Sequence, residues 1–108
     1  MWVLLNHIKA DRCAQFERFV HDILMPAVMQ FEPDMCRLVR VLHPTRPNED
    51  GTFTYVFLMD PLILDADYSF EYLLNKAYPP EKVEEFLRLE EETYASPQVE
   101  FEVTQSAW

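Results

Sequence analysis

Side chains with chemical capacity are few in this chain, and the first of them interrupt an apolar run. In WVLLNHIK, Trp2 to Lys9, Asn6 and His7 stand inside a stretch otherwise suited to burial. An amide positions a ligand through a paired donor and acceptor, and an imidazole ordinarily titrates near neutral pH, which makes it an acid or base candidate. Neighbours on a strand point to opposite faces, so at most one of the two enters a given pocket. Either would also serve as a structural polar group that finds its hydrogen bonds inside the fold.

Further along, Arg37 and Arg40 fall on an expected second strand, three positions apart and therefore on opposite faces. Either guanidinium could meet the carboxylate of a ligand or of a partner subunit, or pair with surface acids. Tyr55, between Phe53 and Phe57 on one strand face, would offer a hydroxyl to an apolar pocket or pack in the core. Leu62 and Ile63 lie in PLILDAD, Pro61 to Asp67, where a surface connection should be polar, so they are expected at a pocket mouth or against another subunit. His21 reads as part of a helix's polar side, and His43, just before Pro44, as an exposed strand end. Asp65 and Asp67 read as caps of the next helix rather than as a cation site.

No Cys/His metal spacing, HExxH, glycine-rich phosphate loop or nucleophile elbow is present. The single glycine, Gly51, sits beside Asp50 in a turn, which argues against a cradle for nucleotide phosphates. Chemistry in this chain is therefore expected to need no metal and no cofactor.

The elements that must hold these residues follow from periodicity. Residues 2–9 read as a buried strand. Asp11 is placed to cap a helix whose apolar stripe is Phe16, Phe19, Val20, Ile23, Leu24 and Ala27, with Pro26 ending or kinking it. MCRLVRVLHP, 35–44, reads as a second strand and TFTYVFLMD, 52–60, as a third, joined as a hairpin through TRPNEDG. Ser69 starts a helix that Pro79 and Pro80 break, a further helix begins at Pro80, and Val99, Phe101 and Val103 alternate with polar residues in a last strand. The order β-α-β-β-α-β, with its second helical segment split, predicts an α+β fold of ferredoxin-like plan: one domain over 1–108 with a four-stranded antiparallel sheet. Strands apolar on both faces need cover on the side away from the helices, and a second copy packed sheet to sheet supplies it.

At 108 residues the chain can bury a sizeable core. Its net charge of −10 is uneven, with six basic and five acidic residues before position 47 and three basic and fourteen acidic residues after it. Such a field repels phosphate backbones and anionic lipid heads, so neither nucleic acid nor a membrane is an expected partner. Two cysteines, Cys13 and Cys36, without a disulfide framework, and no long apolar run point to the cytoplasm.

Element order, length and the first-strand Asn6 resemble the dimeric α/β-barrel superfamily, which includes antibiotic biosynthesis monooxygenase-like and haem-degrading members. FERFVHDILMPAV, 16–28, is similar to first helices of its ether-degradation branch. The resemblance implies a homodimer with a pocket between sheet and helices, in which Asn6 positions a small apolar or aromatic compound. It also implies cofactor-independent monooxygenase or isomerase chemistry. The alternative is a non-catalytic homodimeric interaction module that presents its acidic second half to another protein.

Overall fold

The computed structural model describes residues 1–107. Strand β1 (Trp2–Ile8) buries Leu4, Asn6 and Ile8 on one face and leaves Val3, Leu5 and His7 half-covered on the other. Asn6 and His7 thus part company as strand geometry requires. β1 runs antiparallel to β3 (Phe53–Met59) on one side and to β4 (Val99–Glu102) on the other, while β2 (Val39–Leu42) pairs with β3. The result is an antiparallel sheet in the order β2-β3-β1-β4.

The helical layer covers one face of this sheet. After a 3₁₀ turn (Ala10–Arg12) come α1 (Cys13–Arg18), a π-helical stretch (Phe19–Leu24) and α2 (Met25–Phe31), one nearly continuous rod. Its stripe of Phe16, Phe19, Val20, Ile23, Leu24, Ala27 and Val28 is buried throughout. The rod does not stop at Pro26. A proline in mid-helix collides with the carbonyl four residues back, and the widened turn before it relieves that clash: the Met25 amide donates to the Val20 carbonyl, five residues away. Asp11 makes no cap, because it lies within the 3₁₀ turn, and no side chain caps α1.

A second departure concerns residues 33–38. These form a short helix, α3 (Pro33–Leu38), and the strand begins only at Val39. Pro33 opens the helix, where its missing amide proton costs nothing, and Met35 is buried beneath it. The β2–β3 connection is therefore long, from His43 to Thr52, and turns at Gly51 with φ of 86°, a conformation that favours glycine. The later helices begin where their caps place them. Ser69 accepts a hydrogen bond from the Tyr72 amide at 3.3 Å to start α4 (Phe70–Asn75), and Pro80 opens α5 (Pro80–Glu91).

Leu4, Ile8, Tyr55, Phe57 and Met59 from the sheet meet the rod, Met35, Leu73, Leu74 and Val83 in one core. The opposite sheet face carries Val3, Leu5, Val56 and Leu58 in its centre, with Leu42, Val99 and Phe101 on the flanking strands. Leu42, Val99 and Phe101 are 45%, 38% and 48% exposed. No described helix is long and apolar enough to cross a membrane.

Candidate functional site

The structure gathers polar groups at the end of α5. On α5 the inward stripe runs Val83, Phe86, Leu87, and the next position of that stripe is Glu90. Glu90 is consequently buried, at 7% exposure. Past the helix end, Thr93 donates its hydroxyl to the Glu90 carbonyl at 2.6 Å, the Lys9 amide donates to the Thr93 carbonyl, and the Ala95 amide donates to the His7 carbonyl. This stitching fixes the helix terminus to the end of β1 and sets Tyr94 beside Asn6.

Asn6 is fully enclosed, and all its hydrogen-bonding capacity is used. Its Nδ2 donates to the carbonyls of Tyr55 at 3.1 Å and Leu4 at 3.4 Å. Its Oδ1 accepts from the Tyr94 hydroxyl at 2.7 Å and from Gln98 Nε2 at 2.8 Å. Asn6 therefore orients Tyr94 and Gln98 and has nothing left for a ligand. The amide that the sequence offered as a ligand contact is a bracket behind the site.

Two clefts open over this bracket and share Phe70 and Gln98. One, of about 530 Å³, is bounded by Glu90, Tyr94, Phe70 and Gln98. The other, of about 590 Å³, is lined by Trp2, Leu4, Tyr68 and Phe70 together with Asp65 and Asp67 of the connecting segment. Trp2 and Tyr68 meet edge to face with centroids 5.4 Å apart. Aromatic walls with a few fixed polar groups are what a small, mainly apolar molecule requires.

Burial pushes the Glu90 carboxyl up to about 7, with Glu91 adding to the rise. The single hydroxyl proton of Tyr94 goes to Asn6 at 2.7 Å and is not available to the carboxylate. The Tyr94 phenol is itself raised, chiefly by burial. A carboxyl that ionises near neutrality at a cleft wall can take a proton from a bound molecule and return it.

Of the other residues singled out in the sequence, none joins this cluster directly. His7 is on the opposite sheet face, its Nδ1 2.8 Å from the Thr54 hydroxyl. Tyr55 is core: its ring tilts against Phe16 at 4.9 Å and its hydroxyl donates to Glu17 Oε2 at 2.7 Å. The cavity between sheet and helices is only about 40 Å³, lined by residues such as Leu24, Val28 and Phe57, and touches neither Tyr55 nor Asn6. Arg37 lies on α3, not on a strand, and is exposed beside Asp34. Arg40 is exposed on the open sheet face, opposite Leu58. Leu62 and Ile63 pack against the core, and the Ile63 amide donates to the Tyr68 hydroxyl at 3.1 Å, so their segment steadies a cleft wall.

Glu90, Tyr94 and Gln98 were not apparent from residue type. Glu90 was nevertheless readable as an acid on an apolar stripe, three and seven places after Leu87 and Val83. Among the described residues, no group of three or more His, Cys, Asp or Glu side chains is arranged to hold a metal ion.

The fold and the site define an α+β protein with an aromatic cleft beside a buried acid. The chain matches no protein-family model, no curated protein and no solved structure.

Proposed function

We propose that the protein is a homodimer of the ferredoxin-like, dimeric α/β-barrel type that binds a small apolar or aromatic compound beside Glu90. There it performs proton-transfer chemistry, such as isomerisation, using its own side chains. The observation that carries this reading is Glu90: a carboxyl buried on a helix stripe, lining a cleft together with Phe70, Tyr94 and Gln98. Glu90 is the acid and base, Tyr94 and Gln98 are held in place by Asn6, and Trp2, Tyr68 and Phe70 give the apolar surface. Of the two reactions implied by the resemblance, isomerisation fits this machinery better than oxygen insertion, because a single group that both takes and gives a proton suffices for it.

The helices on one face of an antiparallel sheet favour the ferredoxin-like plan, although both helical segments are broken into shorter pieces. The open face favours the dimer. Leu42, Val56, Leu5 and Val99 form one row across all four strands, and Arg40, Leu58, Val3 and Phe101 form the next. An apolar face of this breadth is normally covered, and a two-fold copy covers it with the same residues.

A second reading, the non-catalytic interaction module, draws on the filled interior around Tyr55 and on the saturation of Asn6. The two separate in a thermal-shift screen with small phenols and cyclic ketones at pH 7. Stabilisation by at least one compound class that disappears in Phe70→Ala, with proton exchange at the ligand lost in Glu90→Gln, supports the binding enzyme. Absence of any stabilisation across the screen favours the module.

A further inference from the structure

Acids surround the aromatic cleft. Asp65 and Asp67, on the segment before α4, form part of its lining, and Asp67 Oδ1 accepts the Ser69 amide at 2.9 Å, which fixes that carboxylate at the rim. Glu100 and Glu102 stand opposite Leu4 and Trp2 in the β1–β4 ladder. Directly opposed residues of an antiparallel pair share a face, so both glutamates stand on the sheet face from which Trp2 and Leu4 line the cleft. Glu90 and Glu91 line the adjoining cleft. Among the described residues, no Lys, Arg or His lines either one. The Met1 ammonium, next to Trp2, donates to the Val103 carbonyl at 2.7 Å.

Of these acids only Glu90 is withdrawn from solvent, at 7% exposure. A buried carboxylate normally accepts hydrogen bonds that replace its lost water. Its neighbours send theirs elsewhere: the Tyr94 hydroxyl donates to Asn6 Oδ1, and the Thr93 hydroxyl donates to the backbone carbonyl of Glu90 rather than to its carboxylate. Every fully enclosed side-chain nitrogen or oxygen among the described residues has a partner, so the oxygens of Glu90 are those that open onto the cleft. A donor arriving from the cleft completes them, and a donor with a positive charge also offsets the burial of the carboxylate. The faces of Trp2, Tyr68 and Phe70 attract the same kind of group, because an aromatic face is negative and draws a cation as well as a ring.

We infer that the ligand of this site is a protonated aromatic amine, its ring on Trp2, Tyr68 and Phe70 and its ammonium donating to the Glu90 carboxylate. Asp65 and Asp67 form a negative rim that admits cations and repels carboxylates. The inference rests on the reading of the two clefts as a ligand site, and narrows the ligand from any small apolar or aromatic compound to one with a positive charge. The clefts share Phe70 and Gln98, so a ring against Phe70 adjoins both the aromatic walls and Glu90. An ammonium beside Glu90 favours its ionised form, which is the form that takes a proton. Arg37, on α3, and Arg40, on the far sheet face, are both absent from the linings, so neither guanidinium is placed to hold an anionic ligand there.

The test is calorimetric titration of the full chain at pH 7.5 in physiological salt with three phenols of one frame: 4-ethylphenol, which is neutral, tyramine, which carries an ammonium, and 3-(4-hydroxyphenyl)propionate, which carries a carboxylate. At that ionic strength exposed charges are screened beyond about 8 Å, so a preference that remains is local. Tyramine is expected to bind at least about tenfold tighter than 4-ethylphenol, and the propionate more weakly than either. In Glu90→Gln, which keeps the side chain's shape and is checked for folding by far-UV circular dichroism, the preference for tyramine should fall at least about threefold. If 4-ethylphenol binds as tightly as tyramine, the charged ligand is overturned while the cleft remains a binding site. A preference undiminished in folded Glu90→Gln traces to the net charge of −10 and overturns the contact with Glu90. Binding of none of the three overturns the inference together with the reading it rests on.

Discussion

An acid on the apolar stripe of an amphipathic helix loses the water that would stabilise its charge, and Glu90 is in that position. Its carboxyl sits at about 7 in the folded protein against an ordinary value of 4.5. A carboxyl raised in this way binds more protons folded than unfolded between those values, so stability falls as pH rises from about 4.5 to about 7. The penalty is full above that range, about 3 kcal/mol at most. Glu90→Gln should therefore be more stable than the wild type at pH 8 and lose this advantage at pH 4.5, as read by urea denaturation at the two values. Equal denaturation midpoints at pH 8 would remove the buried-acid reading.

At the scale of the elements, some caps and prolines were legible in the sequence because their effect is local, whereas Asp11 makes no cap and Pro26 does not end its helix. Ser69 and Pro80 begin helices for reasons contained within one turn, and alternation correctly divided Asn6 from His7. Ser69→Ala should cost about 1 kcal/mol by removing the acceptor of the Tyr72 amide, measurable as a shift in denaturation midpoint. No shift would mean that α4 is held by Leu73 and Leu74 alone. What failed was the start of β2, since Met35, Cys36, Arg37 and Leu38 have no decisive preference and Pro33 opens a helix as readily as it closes a turn. The site was legible only in part. Asn6 was found by type, but its partners Tyr94 and Gln98 lie 88 and 92 residues away, and no spacing rule connects them. The same limit hid the surface contact of His21 with His43, whose Nε2 atoms lie 2.9 Å apart.

On the scale of the whole molecule, one sheet face is closed by helices and the other is a largely apolar plane that also carries Arg40 and His7. Leu42, Val99 and Phe101 are exposed there, while Met29, Phe31, Leu64 and Tyr72 are exposed elsewhere on the molecule. The clefts beside Glu90 lie on the helical side of Leu4, so a partner on the opposite face would leave them open to a ligand. A charge at the centre of that plane would oppose assembly without entering either the core or the site. Val56 is such a position, between Leu42 and Leu5 in the row.

The most direct test of a ligand-binding dimer is native mass spectrometry of the purified wild type and Val56→Lys. The expected result is a wild-type dimer carrying a small mass that leaves under denaturing conditions, and a Val56→Lys protein that is folded and monomeric. A wild type that is monomeric and without adduct at the same concentration would contradict both the covered sheet and the occupied cleft.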